Sequence, residues 1–293
     1  MERRQNNDVL ISSNGTEMVA PPSNVLIPKR DAGRAPVLEV RGVGIDFGGL
    51  RAVDEFSITM GRTEISGLIG PNGAGKTTVF NLLTNVYKPT RGAILLDGKN
   101  TAGKSVAQVN RMGIARTFQN IRLFDQMSVI DNVRVGLTNH TKCTFPESLF
   151  RLPRYFSGEK KSKERALELL SIFHMESDAY LTAGNLPYGK QRRLEILRAL
   201  ATEPKILLLD EPAAGMNPSE TSELMENIRK IRDSFGIAIL LIEHVMNLVM
   251  GVCEGIAVLN FGKVIAKGTP EQIRNNEAVV EAYLGHKADK AAG

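Results

Sequence analysis

A glycine-rich stretch near residue 70 carries the residue types that bind phosphate groups. It follows the pattern G-x-x-x-x-G-K-S/T and consists of Gly70, Pro71, Asn72, Gly73, Ala74, Gly75, Lys76 and Thr77, with Thr78 next. Glycines let successive backbone N–H groups turn inward around phosphate oxygens, and a following helix adds the positive end of its dipole. In such a loop the lysine reaches the β- and γ-phosphates and the hydroxyl of Thr77 binds Mg²⁺. The spacing therefore predicts a P-loop, because a glycine turn that only caps a helix needs neither Lys76 nor Thr77.

Two adjacent acids, Asp210 and Glu211, follow the apolar run 206–209. An apolar strand that ends in an acid is typical of the Walker B motif, in which the acid holds Mg²⁺ directly or through water. Asp210 is therefore the predicted metal ligand. Glu211 is placed to polarise a water for attack on the γ-phosphate, which is a general-base role. The alternative is a pair of solvated loop charges, and the P-loop favours the chemical roles.

The P-loop must sit between a strand and a helix. Short apolar runs interrupted by glycine predict strands near residues 37–41, 57–60 and 64–69, so a β-rich segment comes first. A helix is predicted to begin within residues 75–78, since apolar residues follow at helical spacing. Strand, glycine loop and helix thus occur in the order that the motif requires.

The rest of the chain divides into further elements. Near-continuous apolar runs at 205–210, 236–242 and 255–259 are typical of strands buried on both faces of a parallel sheet. The charged stretch from about 120 to 186 contains an apolar stripe at helical spacing and predicts an inserted helical subdomain. Its basic run 157–165 lacks interleaved aromatic residues, which favours a solvated helix face over a nucleic-acid site.

Composition limits the class of protein. With 42% hydrophobic and 24% charged residues, neither wholesale disorder nor a membrane-embedded class fits. The net charge of +5 does not choose among nucleotides, anionic lipid and nucleic acid as partners. Cys143 and Cys253 lack metal-ligand spacing and are predicted to be reduced, buried thiols. No run reaches the roughly 18 to 20 apolar residues of a spanning helix, and no secretory signal opens the chain, so membrane contact is expected through partners.

Three more motifs narrow the kind of P-loop protein. Gln119 follows Thr117 and Phe118, and His244 follows an apolar run. The segment that opens a helix before the two acids consists of Leu186, Pro187, Tyr188, Gly189, Lys190 and Gln191. It resembles the LSGGQ signature of ABC ATPases. The order P-loop, Q-loop, signature, Walker B and H-loop is then complete, and the resemblance covers about residues 36–285.

The resemblance implies the fold, the cofactors and several roles. The fold is an α/β, RecA-like P-loop NTPase core with an antiparallel β subdomain and the helical insertion, and the cofactors are ATP and Mg²⁺. Gln119 is implied to sense Mg²⁺ and the attacking water, and His244 to contact the γ-phosphate. Phe47 stands where the family places an aromatic ring on the adenine. The alternatives are an exposed strand-end residue for Gln119, a satisfied strand-end histidine for His244 and core packing for Phe47.

Longer stretches narrow the resemblance. Residues 116–124, 188–196, 210–218, 268–276 and 282–285 look like the LivG-type ATPase of branched-chain amino acid importers. This implies a second ABC ATPase subunit, expected to form a heterodimer, two membrane permease subunits and, indirectly, a periplasmic or extracellular substrate-binding protein, with no nucleic acid. The location implied is peripheral, at the cytoplasmic face of the bacterial inner membrane. The alternatives are urea or amide uptake, lipopolysaccharide export, or a soluble ABC ATPase of DNA repair or translation.

The domain limits follow from these patterns. Residues 1–35, rich in Asn, Ser, Pro and Arg, predict a flexible tail, with lipid contact as the alternative. Residues 36–287 are assigned to the ATPase domain and 288–293 to a C-terminal tail.

Two departures from the family pattern carry expectations. Pro187 and Tyr188 replace the serine and first glycine of the signature. Because each signature in this family completes the partner's ATP site, we expect the change to act on the partner's nucleotide and the two sites to be unequal. Asn217 stands where an aspartate is usual, and helix capping and dimer contact are equally good readings of it.

Overall fold

The part of the chain described by the computed structural model comprises residues 9–11, 17–19, 26, 35–138 and 153–283. In the predicted N-terminal tail it contains two strands, β1 (Val9–Ile11) and β2 (Glu17–Val19), paired antiparallel. The tails at 1–35 and 288–293 stay predictions. Cys143 lies outside the described residues, whereas Cys253 is buried as expected, and burial raises the pKa of its thiol.

A four-stranded antiparallel sheet precedes and flanks the P-loop. Its strands are β3 (Leu38–Phe47), β4 (Leu50–Met60), β6 (Arg91–Leu96) and β7 (Lys99–Asn100), in the order β4-β3-β6-β7. β3 pairs antiparallel with both β4 and β6. This confirms the antiparallel β subdomain, and both of its long strands extend well beyond the short runs predicted from the sequence.

A six-stranded sheet forms the centre of the molecule. Its strands are β5 (Ile65–Ile69), β8 (Ile114–Arg116), β9 (Ile206–Asp210), β10 (Ala238–Ile242), β11 (Gly255–Asn260) and β12 (Lys263–Gly268). The order is β12-β11-β5-β10-β9-β8, parallel except for the edge strand β12. Every residue of β9 and β10 is buried, as is all of β11 except Asn260, which confirms the interpretation of the three apolar runs.

Helices cover both faces of the central sheet. They are α1 (Lys76–Leu83), α2 (Val106–Met112), α3 (Val129–Leu137), α4 (Pro153–Ser171), α5 (Tyr188–Leu200), α6 (Pro218–Phe235), α7 (Met246–Val252) and α8 (Pro270–Arg274), and residues 277–283 are also helical. Alternate strand residues enter two apolar clusters: Leu207 and Leu209 pack on one side of the sheet, Ile206 and Leu208 on the other. The predicted α/β class is confirmed.

The inserted region is helical where it is described. Between β8 and α5 lie α3, α4 and two 3-10 turns at Glu176–Asp178 and Ala183–Asn185. Four residues of the predicted apolar stripe are buried, namely Ala166, Leu169, Leu170 and Phe173. The buried side of the insertion therefore belongs to the same apolar cluster as one face of the central sheet.

Candidate active site

The P-loop joins β5 to α1, and two of its glycines cannot be replaced without a clash. Gly75, the N-cap of α1, has φ of 101°, and a Cβ there would lie 2.8 Å from the carbonyl oxygen of Ala52. A Cβ on Gly70, where φ is 153°, would lie 2.0 Å from the carbonyl oxygen of Leu259. Close backbone approach therefore explains why glycine stands at both positions.

Lys76 is the first residue of α1 and its side chain lies back across the loop. The Nζ donates to the carbonyl oxygens of Gly70 at 2.7 Å and Pro71 at 2.8 Å. Burial lowers the pKa of Lys76, while the negative charges of Glu211 and Asp210 act in the opposite direction. The ammonium group therefore lies within electrostatic range of the two acids that were predicted to do chemistry.

A cavity of about 290 Å³ opens over the P-loop. Its lining combines the P-loop with the three predicted catalytic side chains: Asn72, Gly73, Ala74, Gly75, Lys76, Thr77, Thr78, Gln119, Glu211 and His244. Glu211 follows β9, and His244 lies just past β10. Since these strands are parallel to β5, their carboxyl ends meet at the edge where the P-loop begins.

Glu211 is the centre of this arrangement. Gln119 Nε2 donates to its Oε2 at 3.1 Å, and His244 Nε2 lies 2.9 Å from its Oε1. Its φ of 48° is unusual for a residue with a side chain, and its N–H donates to the carbonyl oxygen of Ile242. Backbone in this region costs free energy and concentrates at functional sites. Gln119 and His244 thus both contact the candidate base, while their roles toward the nucleotide and the two structural alternatives stay open.

Asp210 is buried and already paired. Its Oδ2 accepts from Arg116 Nη2 at 2.7 Å, and its N–H donates to Thr117 Oγ1 at 3.1 Å. Arg116 also donates from Nη1 to Asn81 Oδ1 at 2.6 Å. Sequence reasoning gave Arg116 no role, although an arginine at the end of the apolar run 114–115 was a signal that it has a buried partner.

Glu243 is a second residue that sequence reasoning missed. It is buried, and its carboxylate accepts from the N–H groups of Ala213 at 2.8 Å, His244 at 2.9 Å and Val245 at 3.1 Å. A carboxylate that accepts several backbone N–H groups is well stabilised. Glu243 thus joins the loop after Glu211 to the loop that carries His244.

The signature residues lie apart from this cavity. None of the six, Leu186, Pro187, Tyr188, Gly189, Lys190 and Gln191, is among the residues that line it. Pro187 is the N-cap of α5, and Tyr188 is the first helical residue. Lys190 Nζ donates to Asp178 Oδ2 at 2.6 Å, and Gln191 Nε2 to the carbonyl oxygen of Leu186 at 2.8 Å. The segment is therefore anchored to its own subdomain.

Phe47 lies at the end of β3 with 43% of its surface exposed. Its ring meets that of Tyr87 edge-on, with centroids 5.2 Å apart. Core packing, the alternative for Phe47, is therefore wrong. Adenine stacking stays a prediction, and Tyr87 is an aromatic neighbour that the sequence did not indicate.

Known proteins place this geometry in a family. A model described as ABC transporter matches residues 53–214, and a model described as branched-chain amino acid ATP-binding cassette transporter matches residues 263–289. The chain belongs to the ABC transporter ATP-binding family. It is therefore an ABC-type ATPase, as the ordered motifs predict.

Three relatives show how far the similarity extends. The high-affinity branched-chain amino acid transport ATP-binding protein LivG of Escherichia coli (strain K12) is 49% identical over 250 residues, covering 85% of this chain and 98% of its own. BraF of Pseudomonas aeruginosa, with the same description, is 46% identical over the same coverage. The lipopolysaccharide export system ATP-binding protein LptB of Haemophilus influenzae is 32% identical, covering 86% of this chain and 98% of its own.

Solved structures agree on the fold. The ADP conformation of an ATP-binding cassette of an ABC transporter superposes with a TM-score of 0.75 at 29% identity, covering 86% of this chain and all of that one. A nucleotide-free ATP-binding cassette from an ABC transporter superposes with a TM-score of 0.74 at 30% identity, covering 85% of this chain and 99% of that one. Across the described residues, none of the helices combines the length and apolar character needed to traverse a bilayer.

Proposed function

We propose that the chain is the ATP-binding and ATP-hydrolysing subunit of an importer of branched-chain amino acids. The observation that carries the proposal is Glu211, which is held by Gln119 and His244 beside Lys76 at the P-loop. The names of LivG and BraF, together with the C-terminal match, support this cargo. Lipopolysaccharide export is less well supported, because LptB is more distant.

The P-loop residues 70–78 are proposed to hold the phosphates of ATP. Lys76 would exchange its two carbonyl partners for phosphate oxygens, which are charged and therefore form stronger hydrogen bonds. Phe47, with Tyr87 against its edge, is proposed to stack on the adenine. The exposed face of Phe47 is available for this contact.

Thr77, Gln119 and Asp210 are proposed to hold Mg²⁺. In the described part of the chain no group of three or more His, Cys, Asp or Glu side chains could hold a metal. The residues nevertheless fit Mg²⁺, which keeps several waters and uses one or two carboxylates together with phosphates. The ion pair of Asp210 with Arg116 favours a water-mediated role for this carboxylate. Bound Mg²⁺ supplies positive charge that offsets the charge developing on the phosphates.

Glu211 is proposed to accept the proton of the attacking water. Gln119 and His244 each bind a different oxygen of its carboxylate, which fixes the plane of the group. The histidine can carry its proton on either ring nitrogen, so its Nε2 is able to donate to Glu211 or to a phosphate. Gln119 and His244 are thus proposed to orient the base and to report on the γ-phosphate.

A groove of about 510 Å³ is lined by residues of the core and of the helical insertion. Its lining combines apolar rings with arginines and includes Phe118, Arg122, Leu123, Phe124 and Arg198. Phe118, which lines the groove, directly precedes Gln119 in the chain. We propose that a cytoplasmic helix of a permease subunit docks here, so that movement of this helix reaches the residue that contacts Glu211.

The proposed assembly contains a second ABC ATPase subunit, expected to be a different chain, and two permease subunits. A periplasmic or extracellular substrate-binding protein contacts the permeases, and nucleic acid takes no part. The chain itself is proposed to be peripheral, at the cytoplasmic face of the membrane. None of the signature residues lines the P-loop cavity of its own chain, which supports a site completed by a second subunit, with Leu186 to Gln191 serving the partner's ATP.

A Glu211→Gln substitution tests the proposal. The variant should bind ATP as the natural chain does and lose at least about 99% of its hydrolysis, since general-base catalysis contributes roughly 10²- to 10⁴-fold. The measurements are ATP hydrolysis by the assembled transporter and uptake of labelled leucine by cells that carry only the variant. Glu226→Gln, at an exposed position of α6, is the matched control. Normal hydrolysis by Glu211→Gln would exclude the base, and hydrolysis without leucine uptake in the natural chain would exclude the cargo.

A further inference from the structure

Arg192 is a fully buried arginine on α5. Its exposed fraction is 0%, and it heads the set of the largest fully buried side chains in the described chain. Burial of a charge is costly unless the group is paired and hydrogen-bonded. The partners of Arg192 therefore show what the position is for.

The guanidinium of Arg192 binds the backbone of the Q-loop. Nη1 donates to the carbonyl oxygen of Phe118 at 2.6 Å, and Nη2 donates to the carbonyl oxygen of Gln119 at 2.6 Å. The planar fork of an arginine fits two neighbouring acceptors in a way that a lysine ammonium does not. Two consecutive peptide groups of the Q-loop are thus fixed to α5.

Glu195, one turn further along α5, completes the contact. Its Oε2 accepts from Arg192 Nη1 at 3.1 Å, and its Oε1 accepts from the N–H of Phe118 at 3.2 Å. Burial raises the pKa of Glu195, and the Phe118 N–H and the Arg192 charge oppose that change. The two side chains therefore hold both the N–H and the C=O of Phe118.

Further hydrogen bonds extend this contact in two directions, toward Glu211 and toward the signature segment. On one side, the amide of Gln119 donates to Glu211. On the other side, Arg192 Nη2 donates to Tyr188 Oη at 3.2 Å. The Tyr188 ring packs on the loop after Glu211, since a Cβ on Gly215 would lie 3.1 Å from its Cε1. Hydrogen bonds and van der Waals contacts thus run without a gap from the signature segment to Glu211 of the same chain.

We propose that Arg192 is a positioning residue that sets the Gln119 backbone so that its amide reaches Glu211, and that the Tyr188 hydroxyl joins the signature segment to this contact. The inference rests on the roles proposed for Gln119 and Glu211. This positioning role changes the effect expected of the unusual signature segment. The side chain of Tyr188, which the glycine of the family pattern lacks, acts on the hydrolytic site of its own subunit and not on the partner's nucleotide alone.

Two conservative variants separate positioning from simple structural support. Tyr188→Phe keeps the ring on Gly215 and removes one hydrogen bond, and should lower kcat about threefold to tenfold. Arg192→Lys keeps the charge beside Glu195 but loses the fork, and should lower kcat roughly tenfold to a hundredfold through misplacement of Gln119. Both should leave the Kd for ATP unchanged, because Lys76 and the P-loop backbone are untouched.

Arg193→Lys is the matched control, since Arg193 is the next residue on α5 and forms a partly buried ion pair with Glu223, away from the Q-loop backbone. The assembled transporter is assayed for kcat, KM and ATP binding. Hydrogen–deuterium exchange of the amides at 117–120 is measured on the same samples. We expect faster exchange at Phe118 in Arg192→Lys, with the control unchanged in every measurement.

The outcomes are distinguishable. The positioning role is overturned if both variants have the kcat of the natural chain, or if the loss of kcat is matched by an equal loss of ATP affinity. If Arg192→Lys does not fold, Tyr188→Phe alone decides, because its substituted group is half-exposed and adds no buried charge. Normal turnover by Glu211→Gln would overturn the proposed function instead, whatever the Arg192 variants do.

Discussion

Single side chains in the active site already have protein partners. Lys76 donates to two carbonyl oxygens, Glu211 binds Gln119 and His244, and Asp210 pairs with Arg116. ATP bound at these side chains would therefore replace existing hydrogen bonds with new ones. Replacing one hydrogen bond with another of equal strength yields little net free energy. We propose that the gain comes from charge, since phosphate oxygens would replace neutral carbonyls at Lys76.

Arg116→Ala tests the ion pair beneath the site. Both side chains are almost fully buried, so the variant leaves the Asp210 carboxylate without its charged partner. Removal of one member of a buried pair costs about 3 to 5 kcal/mol, and we expect a loss of this order in the free energy of unfolding. Urea denaturation measures it, with Arg111→Ala on the exposed face of α2 as control. Equal stability of the two variants would contradict a structural role for the pair.

At the scale of elements, capping explains where α6 begins. Asn217 Oδ1 accepts from the N–H of Glu220 at 2.9 Å, and Glu220 Oε2 accepts from the N–H of Asn217 at 2.9 Å. Pro218 occupies the first helical turn, where its missing N–H is not needed. The capping reading of Asn217 is thereby confirmed, while dimer contact stays a prediction.

Asn217→Ala separates the two readings. Loss of an N-cap costs about 0.5 to 2 kcal/mol, and we expect a decrease in the free energy of unfolding within this range. Asn217→Asp retains the capping oxygen and should keep the stability of the natural chain. If Asn217→Ala instead keeps its stability and loses ATP turnover in the assembled transporter, dimer contact is the main role.

At the scale of the whole molecule, an ion network joins the antiparallel sheet to the core. Asp97, in the turn between β6 and β7, binds Arg62 and accepts from Lys205 Nζ at 2.6 Å. Lys205 directly precedes β9 of the central sheet. Hydrogen bonds from Lys205 and Arg62 lower the pKa of Asp97 to about 2. The network therefore stabilises the folded chain only while Asp97 is ionised.

Asp97→Asn tests this linkage through pH. A carboxyl with a lowered folded-state pKa adds stability above its unfolded pKa of about 3.9, and the stability is lost as pH falls toward the folded value. The variant should be less stable than the natural chain near neutral pH, and the difference should shrink as pH falls to about 2. Asparagine tolerates the positive φ of 52° at this position. A difference that is constant with pH in urea denaturation would contradict the role of the charge.

The sequence by itself determined the parts whose signals are local. The P-loop spacing, the buried runs of β9, β10 and β11 and the cap of α6 depend on neighbouring residues, and all are confirmed. Gln119 and His244 were found only because the family resemblance supplied their roles. The unequal sites, the tails and the partners stay predictions.

The tertiary structure decided which distant groups meet. Gln119 and Glu211 are 92 residues apart, and strand order alone brings them to one edge of the sheet. The same holds for Arg116 with Asp210 and for Arg192 with Phe118, because the partner of a buried charge depends on which elements are neighbours. Local periodicity carries no information about that neighbour. For this reason the sequence placed Tyr188 at the partner's site, while the fold also connects it to Glu211 of its own chain.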